Sequence, residues 1–322
     1  MIEQLKSEMN GVKAIIDDFL QDSDPLIRPP ITQTVQNKGK LLRPILLVLT
    51  ARCGDYDEKS AVTAAAALEL MHIASLIHDD IVDDGLKRRG TVSVQSKFGK
   101  DAAVYAGDYT LSKSISVLSQ LNDITLIKMF VEAMGNVCQG ELRQHACRHK
   151  VLSTQEYIKI VSNKTGELFG LSLEAGGYVA GIEDKVCREL RNIGRMVGIA
   201  YQIYDDCLDY TFTKSKALKD THKDIIQGSF TAPLLCAIEL DTEGKLKKLL
   251  NASMTEEVIE EIQQTVIDLG GPDIAMKHAL DYFNKITENT RELSRQTDID
   301  FSELVEGLIS IIKMIKNAIL LS

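Results

Sequence analysis

The sequence predicts an all-α protein, and three observations carry that expectation. No proline occurs from Ile45 to Ala232, and proline breaks helix interiors. Apolar residues recur with a helical period, as in AVTAAAALELMHIASLIHDD and CRELRNIGRMVGIAYQIYDD. Strand signals are weak: aromatics are 5% of the 322 residues, tryptophan is absent, and period-two alternation is rare. Roughly ten or more helices are expected.

In chain order, the start MIEQLKSEMNGVKAIIDDFL is amphipathic, with acids throughout. It lacks the unbroken apolar core of a signal peptide. Breaks are read at SDP near residue 25, at Arg28-Pro29-Pro30, at Gly54-Asp55-Tyr56, at Gly85, at Gly176-Gly177 and at Gly270-Gly271-Pro272. The C-terminal run ELVEGLISIIKMIKNAILL is apolar, but Glu303, Glu306, Lys313 and Lys316 make it an amphipathic helix pattern. No stretch of about 18 uncharged apolar residues is found, so no membrane span is expected. None of the breaks resembles a long linker, and a single domain over 1–322 is predicted.

The net charge of −9 argues against a general nucleic-acid binder, whose affinity rests on basic phosphate contacts. It leaves small anionic ligands open, because a local basic patch or a metal overrides the global sign. The six cysteines, at 53, 138, 147, 187, 207 and 236, have no CxxC spacing. They read as reduced structural thiols of a cytoplasmic protein.

One short pattern occurs twice, in SLIHDDIVDDG and in AYQIYDDCLDYT. Each has an apolar helical approach, then DDxxD, then a helix end. Asp79 and Asp83 are one turn apart on one helix face, and Asp80 and Asp84 form a parallel pair beside them. Asp205 and Asp209 repeat the spacing, with Asp206 alongside and Gln202 three residues earlier on the same face. Stacked carboxylates repel, and hard divalent cations reverse that sign. Mg²⁺ takes oxygen ligands and is usually held by one or two carboxylates plus substrate phosphates. Two solvated acidic helix ends would be the bland alternative, and the repetition after two apolar runs weighs against it. The spacing does not fit the alternating acids of an EF-hand loop.

Basic residues accompany the acids. Arg88-Arg89-Gly90 follows DDIVDDG, where guanidinium groups would fork onto phosphate oxygens. KGKLLRP places Lys40 and Arg43 three apart, and His72 lies about 10.5 Å before Asp79 on the same helix face. Singly, these are ordinary surface charges and a core histidine. Together they suggest two anion sites, one bridged by metal and one held by basic side chains alone.

At this point the chain resembles the trans-isoprenyl diphosphate synthases, from about Lys38 to Leu235. The motifs run in the family's order: KGKLLRP, DDIVDDGLKRRG, FGKDAAVYAGDY, the KTG of Lys164-Thr165-Gly166, and YQIYDDCLDYT. The resemblance implies antiparallel helices around a central cavity, usually in a homodimer. It implies three Mg²⁺ ions bridging an allylic diphosphate to Asp79, Asp83 and Asp205, with Asp80, Asp84, Asp206 and Asp209 in support. Arg88, Lys164 and Lys219 would hold that diphosphate. Lys40, Arg43, His72 and Arg89 would hold isopentenyl diphosphate without metal, and Thr165 and Gln202 would line the reacting carbons. The implied reaction is head-to-tail elongation by ionisation, condensation and proton loss.

Product length has a geometric reading. Ser75 is about 5.4 Å deeper than Asp79 along the same helix face, and Ala74 is its neighbour. In the family, bulky aromatics at these positions block the growing chain. Alanine and serine leave the path open and imply a long-chain all-trans product, with a floor deeper in, on the helix of Phe130 and Met134.

The resemblance frays after the second motif. In LKDTHKDIIQGSFTAP, Lys219 and Asp224 hold, but Ser229 stands where a lysine is usual and His222 where a glycine is usual. Phe212 also replaces a glycine, and Leu41 an arginine. Some long-chain family members work as a large catalytic subunit with a small noncatalytic partner, so a two-component enzyme stays open beside the homodimer. A terpene cyclase is a weaker alternative, since it would have no second diphosphate for Lys40, Arg43 and His72. A noncatalytic regulatory subunit and a Mg²⁺-dependent pyrophosphatase are weaker still.

Overall fold

The first long helix of the protein, Lys6–Asp22 (α1), buries Met9, Val12, Ile16, Phe19 and Leu20 on one face. The structure is a computed structural model that describes residues 2–36, 39–88, 91–211 and 224–317. Further helices follow in order: α2 Arg28–Gln36, α3 Leu42–Ala51, α4 Glu58–Val82, α5 Val94–Phe98, α6 Lys100–Ser119, α7 Ile124–Ala146, α8 Thr154–Val161, α9 Glu167–Val179 and α10 Asp184–Thr211. Then come α11 Ala232–Leu240, α12 Lys245–Leu250, α13 Glu256–Asp268, α14 Gly271–Gln296 and α15 Ser302–Asn317. The all-α expectation holds. The one strand pair among the described residues is a ladder of Lys87–Arg88 (β1) against Thr91–Val92 (β2), with Arg88 opposite Thr91.

Two of the expected breaks are helix starts, and a third, Gly176-Gly177, is no break. Pro29 and Pro30 sit in the first turn of α2, where the missing N–H has no helical partner to lose. Gly271 and Pro272 open α14 for the same reason. Gly176 and Gly177 lie inside α9 and are packing glycines. A Cβ on Gly176 would stand 2.4 Å from the Leu47 carbonyl, and one on Gly177 would stand 3.0 Å from Leu190 Cδ1.

The described residues fall into two compact units. The first is drawn from 1–134, 171–191 and 290–311, the second from 135–170, 192–289 and 312–322. The first is organised on α4, which packs against α1, α3 and α6. Its run Ala64–Ala67 is fully buried, and such small residues let helices approach closely. Ser114 Oγ on α6 donates to the Ala67 carbonyl at 2.7 Å. Asp57 caps α4 by accepting from the Ser60 N–H at 2.8 Å, satisfying one of the open N-terminal donors. By length and composition α4 is apolar enough to cross a bilayer, although Glu69 interrupts its apolar run, and 83% of its most apolar window is buried in protein. It is a core helix.

The second unit has its own apolar cluster. Ile225, Leu234, Ala237, Leu246, Ile259, Ile262 and Val266 pack together, with Tyr210 and Phe230 against them. Helices α11, α12 and α13 supply most of it.

Candidate active site

In the first unit the site residues hang on the C-terminal half of α4. Asp79 and Asp83 are one turn apart, joined by an Asp83 N–H to Asp79 carbonyl bond of 2.9 Å. Asp83 is the C-cap. Asp80 points inward and is 7% exposed. The expected Asp80–Asp84 pair does not form on the helix. Asp84 lies past its end with φ of +46°, a left-handed turn that short polar residues tolerate. Its carboxylate meets Lys100 Nζ at 2.5 Å in an exposed ion pair. The turn is tied down from the following segment. The Gly85 N–H returns to the Asp80 carbonyl at 2.9 Å. Gln95 Nε2 donates to the carbonyls of Asp80 and of Gly85, the latter at 3.1 Å, and Ser93 Oγ also donates to the Gly85 carbonyl.

The structure brings Arg43 and His72 together. Arg43 Nη1 lies 3.1 Å from His72 Nε2. A guanidinium only donates, so Nε2 accepts and the imidazole carries its proton on Nδ1. Lys40 is exposed just before α3, separated from it by Leu41 in the left-handed region at φ +50°. Arg88 lies in β1 rather than at a helix end; Arg89 is outside the described residues. Ala74 is fully buried and Ser75 is 8% exposed. The Ser75 hydroxyl is satisfied by the His72 carbonyl at 2.8 Å, so what it presents sideways is small and apolar. Phe130 is fully buried.

In the second unit, Lys164 and Thr165 belong to a π-turn, Ser162–Gly166, between α8 and α9. Such bulges re-aim side chains and are frequent at functional sites. Gly166 explains the KTG glycine, because it meets Gly198 of α10 face to face. A Cβ on Gly198 would stand 2.4 Å from the Gly166 Cα. One turn further along α10, Gln202 Oε1 accepts from Thr165 Oγ1 at 2.9 Å. Thr165 and Gln202, each expected to line the reacting carbons, are thus bonded to one another, a contact the sequence did not foretell.

Asp205 and Asp206 have opposite surroundings. Asp205 is exposed and Asp209 half-buried on α10, one turn apart as expected. Asp206 is 6% exposed. Its Oδ1 accepts from Gln202 Nε2 at 2.9 Å, and its Oδ2 accepts from Tyr157 OH at 2.5 Å and from the Ala232 N–H at 3.2 Å. Burial pushes its carboxyl above the usual range, against the pull of those donors and of Lys164. Lys164 itself meets Glu141 Oε2 at 3.0 Å and Gln144 Oε1 at 2.9 Å. Lys219, Phe212 and His222 lie outside the described residues.

Sequence reasoning missed Tyr157, Glu141, Gln144 and Gln95. Tyr157 follows the capping box Ser153–Glu156, which marks the start of α8 but says nothing about a partner 49 residues away. Among the described residues no three His, Cys, Asp or Glu groups converge closely enough to cage an ion alone. The donor set is instead pairs of hard carboxylate oxygens on half-buried to exposed side chains, Asp79 with Asp83 and Asp205 with Asp209. That suits Mg²⁺, which takes few protein ligands and leaves room for water and phosphate oxygens.

Comparison with known proteins gives a consistent picture. The profile of the polyprenyl synthetase family matches residues 24–268. The chain is 28% identical to heptaprenyl diphosphate synthase component 2 of Bacillus subtilis (strain 168), over 90% of its own length and 84% of the relative's. It is 31% identical to octaprenyl diphosphate synthase of Escherichia coli (strain K12), over 78% of each chain. Its fold superposes on the crystal structure of a polyprenyl synthase from Caulobacter crescentus CB15 complexed with calcium and isoprenyl diphosphate. The TM-score there is 0.85 at 28% identity, covering 95% of this chain and 93% of the other.

Proposed function

Because the chain belongs to the polyprenyl synthetase family, we propose that it condenses isopentenyl diphosphate with an allylic diphosphate to give a long-chain all-trans polyprenyl diphosphate. The observation that carries this is the repeated carboxylate pair, Asp79/Asp83 on α4 and Asp205/Asp209 on α10, each accompanied by basic residues. We read the chain as one catalytic domain in which both pairs serve a single reaction.

Asp79, Asp83 and Asp205 would hold Mg²⁺, three ions in the family's pattern, together with the allylic diphosphate, with Asp209 in support. Bound Mg²⁺ supplies positive charge for the leaving diphosphate. Lys164 holds the same diphosphate, with Lys219 and Arg88 in the same role. Asp80 and Asp206 support the ligands from behind, and Asp206 does so by orienting Gln202. Asp84 supports through its tie to Lys100. Arg43, His72, Lys40 and Arg89 take isopentenyl diphosphate. A cation is needed there because two diphosphates in one site repel, and Arg43 keeps its charge at all working pH.

The chemistry follows from that placement. The allylic C–O bond breaks with its electron pair leaving on diphosphate, which Lys164 helps to stabilise. The double bond of isopentenyl diphosphate, held within reach, attacks the allylic carbon and forms the new C–C bond. A proton is then lost from the adjacent carbon, with the released diphosphate as base. Thr165 and Gln202 hold each other beside the reacting carbons, and apolar walls exclude water from the cation. Ala74 and Ser75 leave the elongating chain room beneath Asp79.

The test uses the purified chain, Mg²⁺, radiolabelled isopentenyl diphosphate, and geranyl, farnesyl or geranylgeranyl diphosphate as primer. Dephosphorylated products are sized by chromatography. A ladder ending beyond C25 supports the full reading; a ladder ending at C20 or below overturns its long-chain half. A second reading has one specific observation behind it, the similarity to a protein named as a component. A folded chain that binds both diphosphates but makes no product favours a catalytic subunit of a heteromer over a homodimer. The setting we propose is cytoplasmic.

A further inference from the structure

Ser229 is the departure that left the allylic diphosphate site with one lysine unaccounted for, and its hydroxyl has a definite use. Gln144 Nε2 donates to Ser229 Oγ at 2.8 Å, while Gln144 Oε1 accepts from Lys164 Nζ at 2.9 Å. The amide orientation is forced, because an ammonium only donates and so must face the amide oxygen. The NH₂ end then turns to Ser229, whose hydroxyl is able to accept. A second ammonium at 229 would set donor against donor.

Each part of this chain of contacts is held by the backbone around it. Gly140 on α7 lets the Lys164 backbone approach, since a Cβ there would stand 2.8 Å from the Lys164 N. That brings Glu141 and Gln144, the next turn of α7, within reach of the lysine. On the other side, the Ser229 N–H is fixed to the Asp224 carbonyl at 2.8 Å. Gly228, at φ +70°, lets the same turn close on His149, whose N–H donates to the Gly228 carbonyl at 2.9 Å. A Cβ on Gly228 would stand 2.4 Å from the His149 N. The turn carrying Ser229 is thereby buckled to the end of α7 that carries Gln144.

We propose that Gln144 and Ser229 are positioning residues for the allylic diphosphate, a relay Ser229–Gln144–Lys164 that holds one ammonium where two cations would otherwise share the charge. The inference rests on Lys164 binding that diphosphate, as in the proposed function. A lysine stem carries about 2 kcal/mol of rotamer entropy, and without Gln144 the strongest acceptor left to it on α7 is Glu141, 3.0 Å away. The relay keeps the ammonium from collapsing fully into that ion pair. Specificity follows: the relay acts on the allylic substrate and not on isopentenyl diphosphate, whose proposed ligands Lys40, Arg43 and His72 are elsewhere in the chain.

The experiment is calorimetric titration of the full chain with geranylgeranyl diphosphate in the presence of Mg²⁺, and separately with isopentenyl diphosphate. Ser229→Ala and Gln144→Ala weaken geranylgeranyl diphosphate binding by about tenfold and leave isopentenyl diphosphate binding unchanged. Ser229→Thr, which keeps the hydroxyl, binds like the parent. Since the two residues act in series, the double variant is no weaker than Gln144→Ala alone. Thermal unfolding of each variant separates this from misfolding, and Gln144→Asn is the milder replacement if Gln144→Ala is unstable. Folded variants that bind geranylgeranyl diphosphate as the parent does overturn the relay while the proposed function stands. A parent chain that binds no allylic diphosphate overturns both.

Discussion

Asp205 and Asp206 are adjacent, yet a helical step of about 100° puts one in solvent and the other under it. The buried one is a hub: Tyr157, Gln202 and the Ala232 N–H all donate to it. Tyr157→Phe removes one donor from a buried carboxylate while keeping the ring, so the destabilisation is about 1.5–3 kcal/mol. Differential scanning calorimetry reads this as a fall of several degrees, and an unchanged melting temperature would show that the bond carries nothing. Turnover falls with it, because Gln202 loses a fixed anchor and Thr165 is oriented through Gln202. Asp79→Ala is the opposite case. Its side chain is only partly buried at a helix end, so circular dichroism and melting stay near the parent's. The initial rate with isopentenyl diphosphate and an allylic primer falls about a hundredfold or more. An active Asp79→Ala chain would remove the basis of the assignment.

The helices were legible where one face is apolar, and less so where a local rule yields to packing. The pattern AVTAAAALELMHIASLIHDD is α4, and CRELRNIGRMVGIAYQIYDD is α10. Gly176-Gly177 misled as a break because glycine signals both a turn and a close approach, and only the Leu47 carbonyl shows which. The π-turn at Ser162–Gly166 has no signature in KTG beyond its glycine. It is set by the meeting of Gly166 and Gly198, and Gly198→Ala tests that. An added methyl 2.4 Å from the Gly166 Cα has no soft side chain to push aside, so α9 and α10 must separate. Overpacking of this kind costs about 1–3 kcal/mol, and the shift also moves Thr165 off Gln202. The expected result is a lowered melting temperature together with a lowered kcat; a kcat at the parent's level would mean the crossing does not position the pair. On α4, Ser75→Phe places a ring one turn below Asp79, where Ser75 is nearly buried. Product chromatography then shows shorter chains at comparable total incorporation, and an unchanged ladder would reject the open-path argument.

At the scale of the molecule, each compact unit carries its own aspartate pair with basic residues of its own, Asp79/Asp83 with Arg43 in the first and Asp205/Asp209 with Lys164 in the second. The paired motifs were readable because both members lie within one helical turn. Gln144 with Ser229 and Tyr157 with Asp206 are 85 and 49 residues apart, and a one-dimensional pattern has no means of joining them. The same layout decides what the metal does for stability. A structural ion contributes folding energy when the protein alone supplies its cage. No three-ligand cage occurs among the described residues, and the carboxylates come as pairs, none of the four fully buried, that need diphosphate oxygens to complete a shell. Excess EDTA is therefore expected to stop condensation completely while leaving the melting temperature of the substrate-free chain unmoved. Adding Mg²⁺ alone changes that temperature little. Adding Mg²⁺ with geranylgeranyl diphosphate at about a hundredfold its Kd stabilises the native state by about 2.7 kcal/mol, an upward shift of several degrees that EDTA reverses. A large fall in melting temperature on adding EDTA to the substrate-free chain would mean a preformed metal cage, and the carboxylate pairs would then have to be read as structural.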